Sequence, residues 1–390
     1  MHTADAFQAT GRPAARRILF FLNNPAFLMS HRLPLALAAR DAGFEVHVAT
    51  PDGPTVADIV AHGLHHHVVP LSRSGTNPWV EARSLLAFLR LLRHLRPDLV
   101  HTITIKAVLY GGIASRIAGV PAFVAAISGL GYVFMRPGRF DPLRQAALWL
   151  YRLALGHRNS RVIFQNANDR DVLLQARAIR AGQAVMIRGS GVDLQQFSPQ
   201  PFGPPPITVV MASRLLRDKG VMEYIEAAGL SASRGAGLRW VLAGSVDPGN
   251  PASITQTELD GWVRTRTIEY VGECQDVAAL YASAHVVVLP SYREGLPKSL
   301  VEAAACGRPV VTTDVPGCRD AIIPGESGVL VPARDAQALA EAVMALAVDE
   351  ATRQRMGLQG RRLAEHDFGI QSIVQSHLGM YRTLLGASEG

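Results

Sequence analysis

Short runs of β-branched residues alternate with longer helical patterns along most of this chain, and this alternation restricts its possible folds more than any other feature. Two stretches, Leu33–Asp41 and Ala82–Leu95, have the apolar periodicity of helices. Strands that alternate with helices predict a parallel sheet covered by helices. The runs in the first half that read as strands are Arg17–Leu22, Glu45–Thr50, Leu99–Thr102, Ala122–Ala126 and Val162–Gln165.

A second series of the same kind follows a proline-rich stretch, residues 199–206, which is the best linker candidate. Its predicted strands are Ile207–Met211, Arg239–Ala243, Ile268–Val271, His285–Leu289 and Val310–Thr312. With 390 residues, the chain is long enough for two domains. The two series predict an α/β protein with two doubly wound, Rossmann-like domains facing a cleft. We place them at residues 16–198 and 207–369, followed by a terminal segment, 370–390.

Composition limits the class of protein. Hydrophobic residues make up 48% and charged residues 18%, which is typical of a globular chain rather than a disordered one, although residues 1–15 are expected to be disordered. The net charge of +7 suits nucleic acid, anionic lipid or phosphorylated substrates, but no nucleic-acid-binding motif favours the first. No apolar run is long enough to cross a bilayer. Three cysteines without metal-ligand spacing indicate a reduced, cytoplasmic setting.

The most informative stretch lies between the last two predicted strands. Glu294 and Glu302 bracket a Gly-Leu-Pro turn that opens a helix. Such a turn aims backbone N–H groups at the carboxyl end of the sheet, where phosphates bind. Pro297 suits the first helical position, and Lys298 follows in the first turn, where a cation is unfavourable unless an anion faces it. Because the carboxylates would hold hydroxyl groups, the stretch predicts a ligand with both, such as a nucleotide sugar.

This spacing resembles the Glu-x7-Glu signature of retaining glycosyltransferases with the GT-B fold, glycosyltransferase family 4. The basic loop Met211–Gly220 resembles that family's diphosphate loop, and Gly191-Val192-Asp193 resembles the segment that enters its second domain. Near the front, Asn23-Asn24 and Ser30–Ala36 resemble a bacterial polysaccharide-assembly branch. The resemblance extends from about residue 16 to the C-terminus. It implies that a last helix, about Ile370 to Leu385, crosses back onto the first domain.

The resemblance implies a UDP-sugar donor bound at the carboxyl edge of the second sheet. Arg214 and Lys219 are the candidate cations for the leaving diphosphate, and with them no divalent metal or other cofactor is expected. Glu294 would bind the donor sugar's hydroxyl groups, and Glu302 those of the ribose. Arg217 is predicted to be a surface charge. The other candidate donor-binding residues are Ser213, Gly244, Val271, Glu273, Tyr292, Gly295, Leu296, Pro297 and Lys298.

Several of these residues have a second interpretation. Tyr292 fits stacking on the base and burial beside its strand equally well, and Lys298 fits anion binding or simple exposure. Gly244, at the end of a strand, would leave room for the nucleotide to approach the backbone. The base is expected near Val271 and Glu273, held largely by backbone groups.

The first domain is expected to hold the acceptor, which by resemblance is a polyprenyl-diphosphate-linked saccharide. Many members of the family have a cleft-facing histidine after the strand that corresponds to Ala122–Ala126, whereas this chain has Ile127-Ser128-Gly129-Leu130-Gly131. Ser128 or the loop backbone is the available substitute, unless the reaction needs no side chain there. His31 fits either a substrate contact or a capping and packing role. The acceptor-side candidates are Asn24, His31, Arg32, His101, Ser128 and Gly129.

Aromatic and basic residues are mixed between Tyr132 and Arg161, which suits a helix lying on anionic lipid. An ordinary core-facing helix with a basic outer side is the alternative. The resemblance favours the first, so we predict peripheral attachment to the inner face of the cytoplasmic membrane. The predicted function is retaining transfer of a sugar from a UDP-sugar to a lipid-linked glycan. A sugar-nucleotide epimerase and a non-catalytic assembly partner are the alternatives.

Overall fold

The structure is a computed structural model that describes residues 15–72, 77–135 and 141–386. The predicted disorder of residues 1–14 lies outside these ranges, as do residues 136–140 of the predicted lipid-binding segment and 387–390 of the terminal segment. Within the described residues, no helix is long and apolar enough to span a membrane.

The first half of the chain forms a parallel seven-stranded sheet with the order β3-β2-β1-β4-β5-β6-β7. Its strands are β1 (Arg17–Phe21), β2 (Glu45–Thr50), β3 (His65–Val68), β4 (Leu99–Ile103), β5 (Ala122–Ile127), β6 (Ser160–Phe164) and β7 (Ala184–Met186). Its helices are α1 (Pro25–His31), α2 (Leu33–Asp41), α3 (Val56–Ala61), α4 (Pro78–Leu95), α5 (Ile105–Ala118), α6 (Pro142–Leu155) and α7 (Ala167–Gln175). The central strands are buried on both faces, as expected for a parallel sheet between two helical layers.

The second half forms a parallel six-stranded sheet with the order β10-β9-β8-β11-β12-β13. Its strands are β8 (Thr208–Ala212), β9 (Arg239–Ala243), β10 (Glu269–Tyr270), β11 (Val286–Leu289), β12 (Val310–Thr313) and β13 (Gly328–Val331). Its helices are α8 (Val221–Ser233), α9 (Gln256–Arg264), α10 (Val277–Ser283), α11 (Lys298–Ala305), α12 (Ala336–Val348) and α13 (Glu350–Leu363). Both sheets are doubly wound, so the predicted architecture is confirmed.

Three strands, β3, β7 and β13, are absent from the sequence-based prediction, and all three lie at sheet edges. The first of them reads His-His-His-Val, a polar pattern that gives no strand signal on its own. Pairing with the neighbouring β2 supplies its hydrogen bonds. Edge strands are therefore the part of this fold that local pattern describes least well.

Side chains at the helix starts explain many of the element boundaries. Each of the following residues accepts a hydrogen bond from a backbone N–H in the first turn, which satisfies a group that has no partner inside the helix. They are Asn24, Asn77, Asp141, Asn166, Thr255, Asp276, Asp335 and Asp349.

The last helix, α14 (Ile370–Leu384), lies against the first sheet although it follows the second in sequence. Its buried residues, among them Ile373, Leu378 and Tyr381, join the core formed by β1, β2 and α2. The chain returns beside the segment between the sheets, where the backbone of Val192 bonds Phe368 at 2.8 Å and Ile370 at 3.0 Å. Residues 199–206 contain neither helix nor strand.

Candidate active site

A cavity of about 290 Å³ lies between the two sheets, at the carboxyl ends of their strands. This is where ligands bind in doubly wound folds. Both halves of the chain line it, so its shape depends on how the two domains meet. The residues from the first half are Asn23, Thr104, Ile105, Lys106, Ser128, Gly129 and Gly131, and those from the second are Asp218, Arg293, Glu294 and Gly295.

Glu294 lies in the turn between β11 and α11 and is held by two side chains. Lys219, from the loop after β8, forms an ion pair with its Oε1, and Ser291 Oγ donates to the same oxygen at 2.8 Å. The structure therefore brings together two of the three predicted catalytic residues. Both side chains are largely buried, which strengthens the attraction between their charges.

Glu302 and Lys298 form a second pair, one turn apart on α11. The distance from Lys298 Nζ to Glu302 Oε1 is 3.0 Å, and the carboxylate is almost completely buried. Burial raises the pKa of Glu302 above its ordinary value, while Lys298 opposes the shift. Of the two interpretations of Lys298, the structure places the ammonium group next to a predicted donor-binding carboxylate rather than in open solvent.

The start of α11 differs from the prediction in one respect. Pro297 is the N-cap residue with extended backbone, and Lys298 is the first helical residue. The N–H groups of Gly295 and Leu296 make no hydrogen bond within the described residues, so both are available as donors. The side chain of Leu296 is buried in the hydrophobic core of the second domain, so only its backbone can meet a ligand.

The loop after β8 presents Arg214 as its most exposed cation. The side chain is 54% exposed, and its only ion pair among the described residues is a loose contact with Asp247 at 4.0 Å. Arg217 instead pairs with Glu258 at 2.5 Å on the surface, as predicted for a surface charge. Ser213 lies half-buried beside Arg214, and its hydroxyl donates to the Arg214 carbonyl oxygen at 3.1 Å.

Gly244 lies where two loops of the second domain approach each other closely. A Cβ atom there would lie 1.8 Å from the carbonyl oxygen of Ser213, and its φ of 137° is unfavourable for other residues. The glycine therefore lets two loops of the protein itself come together, and its role in leaving room for the nucleotide stays a prediction.

The predicted base-binding residues separate into two groups. Val271 and Glu273 are exposed at the carboxyl end of β10, and between them the Gly272 carbonyl oxygen accepts from the Gly244 N–H at 2.8 Å. Tyr292 is half-buried, and its hydroxyl donates to Glu223 at 2.6 Å. The guanidinium of Arg334 covers its ring at 4.6 Å from the centroid. Because one face is occupied by Arg334, the structure favours the packing interpretation of Tyr292 over stacking on a base.

On the acceptor side, Asn24 and His31 occupy the two ends of α1. Asn24 caps the helix through a 2.9 Å bond from the Ala26 N–H, so its side-chain oxygen is already used. His31 is partly exposed, and its ring stacks on Phe27 with centroids 4.1 Å apart. Burial lowers the pKa of His31 to about 3, and nearby positive charges add to the shift. Those charges belong to Lys298, Arg32, Arg214 and Lys219, which puts His31 opposite the donor loops.

Arg32 and His101 do not line the cleft. Arg32 is only 2% exposed, and His101 is fully buried with its Nδ1 2.6 Å from the Tyr381 hydroxyl of α14. His377, also from α14, stacks on His101 with ring centroids 5.8 Å apart. The expected cleft position of His101 is therefore wrong: β4 directs it into the contact with α14. Burial lowers the pKa of Arg32 to about 10 and that of His377 to about 3.

Ser128 and Gly129 line the cavity and meet the donor loop directly. A Cβ atom on Gly295 would lie 2.6 Å from the backbone of Ser128, and one on Gly129 would lie 3.4 Å from the Gly295 nitrogen. Asn166 Nδ2 donates to the Gly295 carbonyl oxygen at 2.8 Å. The loop that lacks the family's histidine thus supports the turn between Glu294 and Glu302.

The functional region contains two groups that sequence reasoning missed. Arg293 forms an ion pair with Asp169 of α7, whose carboxylate is 1% exposed, and so joins the two domains beside the cavity. Burial raises the pKa of Asp169, and Arg293 opposes this. Arg188 pairs in the same way with Asp367. In the sequence, only its position beside Glu294 pointed to Arg293. The two residues of each pair lie too far apart in the chain to be matched from a local pattern.

The carboxyl edge of the second sheet therefore presents three cations, two carboxylates and two unbonded N–H groups, and of these residues Glu294 and Gly295 line the cavity. Cations and N–H groups stabilise phosphate oxygens, and carboxylates accept hydrogen bonds from sugar hydroxyls. Over the described ranges, no three His, Cys, Asp or Glu side chains are close enough together to hold a metal ion.

Two doubly wound parallel sheets with a shared cleft, and a last helix that returns to the first sheet, define a GT-B protein. Residues 206–349 match the family described as "Glycosyl transferases group 1", and residues 17–166 match the family described as "Glycosyl transferase 4-like". The chain belongs to the glycosyltransferases that combine these two domains. The predictions of family and of glycosyltransferase function are confirmed.

Among named relatives, the chain is similar to N,N'-diacetylbacillosaminyl-diphospho-undecaprenol α-1,3-N-acetylgalactosaminyltransferase of Campylobacter jejuni. The two are 27% identical over 381 residues, which cover 94% of this chain and 98% of the relative. The capsular polysaccharide biosynthesis glycosyltransferase CapM of Staphylococcus aureus is 25% identical and covers 90% of this chain and 93% of its own length.

Solved structures show the same fold. Sucrose-phosphate synthase from Thermosynechococcus elongatus superimposes with a TM-score of 0.79 at 23% identity, over 96% of this chain and 100% of its own. HepE of Anabaena, solved in complex with UDP and glucose, has a TM-score of 0.75 at 21% identity, over 94% of this chain and 99% of its own. At these identities the likeness concerns the fold alone.

Proposed function

We propose that this glycosyltransferase moves a sugar, with retention of configuration and without a divalent metal, from a UDP-sugar to a polyprenyl-diphosphate-linked saccharide. The single observation that carries the proposal is the pair of ion pairs at the donor edge, Lys219 with Glu294 and Lys298 with Glu302. Each joins an ammonium group suited to phosphate with a carboxylate suited to hydroxyls. The four residues lie in the loop after β8, the turn after β11 and the helix α11. A nucleotide sugar offers both kinds of group.

The proposed mechanism rests on charge. As the glycosidic bond breaks, negative charge grows on the diphosphate, where Arg214, Lys219 and the N–H groups of Gly295 and Leu296 stabilise it. Those positioned positive groups do what a divalent cation would otherwise do. The leaving phosphate oxygen takes the proton of the attacking hydroxyl on the same face of the sugar, which gives retention. Glu294 holds the sugar hydroxyls meanwhile.

The nature of the two substrates is supported by similarity. The relative from Campylobacter jejuni is named for a diphospho-undecaprenol acceptor, and it aligns over nearly the whole chain. HepE, a neighbour in fold, was solved with UDP and glucose.

We further propose peripheral attachment to the inner face of the cytoplasmic membrane through the outer face of α4. Trp79 is 85% exposed and Leu86 51%, one above the other on the helix. Arg83, Arg90 and Arg93 are exposed on the same helix, and its only carboxylate, Glu81, pairs with Lys106. Apolar anchors among unopposed arginines suit anionic lipid.

The helix first predicted for this role, α6, contributes less. Leu148, Tyr151 and Leu155 face the core, while Trp149 and Leu153 are exposed on the layer that α6 forms with α5 and α4. Its Arg152 is engaged by the Ala176 carbonyl oxygen at 2.9 Å. The helix thus combines both interpretations: a core-facing side and an outer side that continues the α4 surface.

The decisive experiment for the donor is calorimetric binding of UDP, GDP and ADP in EDTA, with wild type and Glu302→Ala. We expect UDP to bind without metal, and the substitution to weaken it roughly tenfold to a hundredfold because the ribose hydroxyls lose a charged acceptor. If no nucleotide binds, the donor proposal fails and a non-catalytic assembly partner becomes the better explanation.

Retention and acceptor class need a product. With synthetic polyprenyl-diphosphate saccharides and a panel of UDP-sugars, the proton coupling at the new anomeric centre reports the configuration. We expect the configuration of the donor, at a rate that EDTA does not change. An inverted product, or transfer that stops in EDTA and returns with Mg²⁺, would contradict the mechanism.

Membrane attachment is tested by co-sedimentation with vesicles of phosphatidylglycerol and phosphatidylcholine at low salt. We expect wild type to bind and the double variant Trp79→Ala/Leu86→Ala to lose most of that binding. Leu358→Ala, which removes an exposed leucine from α13 in the second domain, is the matched control. Equal binding by all three proteins would place the contact elsewhere.

A further inference from the structure

His31 lies where α1 ends and α2 begins, and its backbone is firmly held. The N–H of Arg32 donates to the Leu28 carbonyl oxygen at 2.8 Å, and the Arg32 carbonyl accepts from Ala36 at 2.9 Å. The side chain of Arg32 is buried beneath α14. A residue with a fixed backbone, whose ring also stacks on Phe27, has a defined orientation.

The hydrogen bonds of the Ser30 hydroxyl define the tautomer of His31. Ser30 has one hydroxyl proton, which it donates to the Ala26 carbonyl oxygen at 2.9 Å. Its oxygen lies 2.7 Å from His31 Nδ1, so at this contact Nδ1 must carry the proton and donate. The other ring nitrogen, Nε2, is then an unprotonated acceptor, and it has no partner among the described residues. Because the side chain of His31 is partly exposed, that atom is open to solvent or to a ligand.

The surroundings keep the ring neutral. Burial is the main cause, and the positive charges of the donor loops and of Arg32 act in the same direction, so the pKa of His31 falls to about 3. The charged groups with the largest effect on it are cations: Lys298, Arg32, Arg214 and Lys219. A base this weak does not take a proton at neutral pH, but its lone pair still accepts a hydrogen bond.

We propose that His31 Nε2 accepts a hydrogen bond from a sugar hydroxyl at the reacting end of the cleft, and that Ser30 is the positioning residue that fixes this tautomer. The inference rests on the proposed function and names the group that supplies a first-domain contact in a chain without a histidine after β5. The hydroxyl belongs either to the donor sugar or to the attacking acceptor.

The geometry also explains why a neutral acceptor is suited to this place. A carboxylate here would compete with the diphosphate for Lys219, Lys298 and Arg214. Glu294 and Glu302 already pair with two of these cations. A protonated imidazole would repel those same cations. A neutral ring with a free lone pair orients a hydroxyl without disturbing the charge balance that holds the diphosphate.

The test compares three substitutions by UDP affinity, transfer rate and UDP-sugar hydrolysis without acceptor. His31→Phe keeps an aromatic ring on Phe27 but has no acceptor atom, and His31→Gln returns an acceptor oxygen. We expect transfer to fall roughly tenfold to a hundredfold in the first and to recover partly in the second. UDP affinity should change less than about twofold, because UDP has no sugar hydroxyl at this position. His62→Phe, at the end of α3, is the matched control.

The two hydroxyl sources give different results. If the donor sugar supplies the hydroxyl, hydrolysis and transfer fall together in His31→Phe. If the acceptor supplies it, hydrolysis is unchanged and the acceptor KM rises or transfer alone slows. Transfer by His31→Phe at the wild-type rate would overturn the inference while leaving the proposed function intact. Absence of both UDP binding and transfer in wild type would instead refute the proposed function.

Nitrogen NMR of the labelled ring tests the tautomer without any substrate. We expect His31 at neutral pH to have a protonated Nδ1 and an unprotonated Nε2, and Ser30→Ala to shift the population towards the other tautomer. Ser30→Ala should slow transfer in wild type but add nothing to His31→Phe, since both changes act through Nε2. A protonated Nε2 in wild type, or fully additive losses, would contradict the role of Ser30.

Discussion

Lys219 and Glu294 form an ion pair across the donor side of the cleft, and Ser291 Oγ donates to the same carboxylate oxygen at 2.8 Å. The two charges come from loops that follow different strands, β8 and β11. Without ligand they neutralise one another, so the protein does not leave buried charges unpaired. A bound nucleotide sugar would replace this contact with phosphate oxygens on one side and hydroxyls on the other.

Removing the cation of this pair should affect the reaction more than binding. In Lys219→Ala we expect kcat for transfer to fall roughly a hundredfold to a thousandfold, because the charge that develops on the diphosphate loses a positioned partner. Lys219→Arg keeps the charge and should retain part of the activity. Rates measured at saturating donor and acceptor check this, and a kcat within about twofold of wild type would contradict it.

The buried carboxylate of Glu302 should make donor binding depend on pH. Its pKa is raised by burial, so on acidification it takes up a proton at a higher pH than an ordinary glutamate does. The protonated group is a weaker acceptor for ribose hydroxyls, so wild-type UDP affinity should decline as pH falls through that raised pKa. Glu302→Gln should bind UDP more weakly than wild type does at neutral pH, and its UDP affinity should lack this part of the pH dependence.

Calorimetry from neutral to mildly acidic pH compares the two proteins. The titration of the UDP phosphates is common to both, so it cancels in the difference between them. Parallel pH profiles for wild type and Glu302→Gln would show that Glu302 does not contact the nucleotide.

The contact between Arg293 and Asp169 should stabilise the junction of the domains. In Arg293→Ala the Asp169 carboxylate stays buried without its cation, which costs about 3 kcal/mol of stability at neutral pH. Because the folded-state pKa of Asp169 is already raised, and loss of Arg293 raises it further, the destabilisation should grow with rising pH and shrink on acidification.

Thermal unfolding at neutral and acid pH measures this effect, with the first transition compared because the protein has two domains. Adding Asp169→Asn to Arg293→Ala should recover much of the loss, since no buried charge then remains. If the single variant melts like wild type at neutral pH, the pair contributes nothing to stability.

Gly295 should be intolerant of a side chain. A Cβ atom there would lie 2.5 Å from Gln165 Oε1 and 2.6 Å from the backbone of Ser128. Gly295→Ala must therefore push the two domains apart at the cavity, and we expect transfer to be almost abolished while the second domain remains folded. Gly229→Ala, in the interior of α8 with no atom within 4 Å of the new Cβ, is the control and should keep full activity.

Circular dichroism and transfer rate together check this prediction. Normal activity in Gly295→Ala would mean that the loop of Ser128 moves without cost. It would then not support the turn between Glu294 and Glu302.

Much of the donor site could be predicted from sequence because its groups are local. Glu294, Lys298 and Glu302 lie on one turn and one helix, so their relative positions follow from helical geometry once the helix is predicted. Arg214 and Lys219 follow a single strand in the same way. The βα alternation likewise places all these loops at one edge of a sheet.

The surroundings of other site residues could not be predicted, because the deciding neighbour is distant in sequence. Gly244 is explained by Ser213 of another loop, and Tyr292 is covered by Arg334. His101 is the middle residue of β4, and α14 buries it. No local pattern contains these partners, because each contact forms only when two elements pack.

The sequence by itself determined the two doubly wound sheets, the family and the relative position of Glu294 and Glu302, because strand and helix periodicities and short-range spacing act within a few residues. Only the tertiary structure decided which charges neutralise one another. Lys219 and Glu294 are 75 positions apart, and Asp169 and Arg293 are 124 apart. Pairing over such distances depends on how whole domains pack, and the burial that accompanies packing sets how strongly the paired charges attract one another.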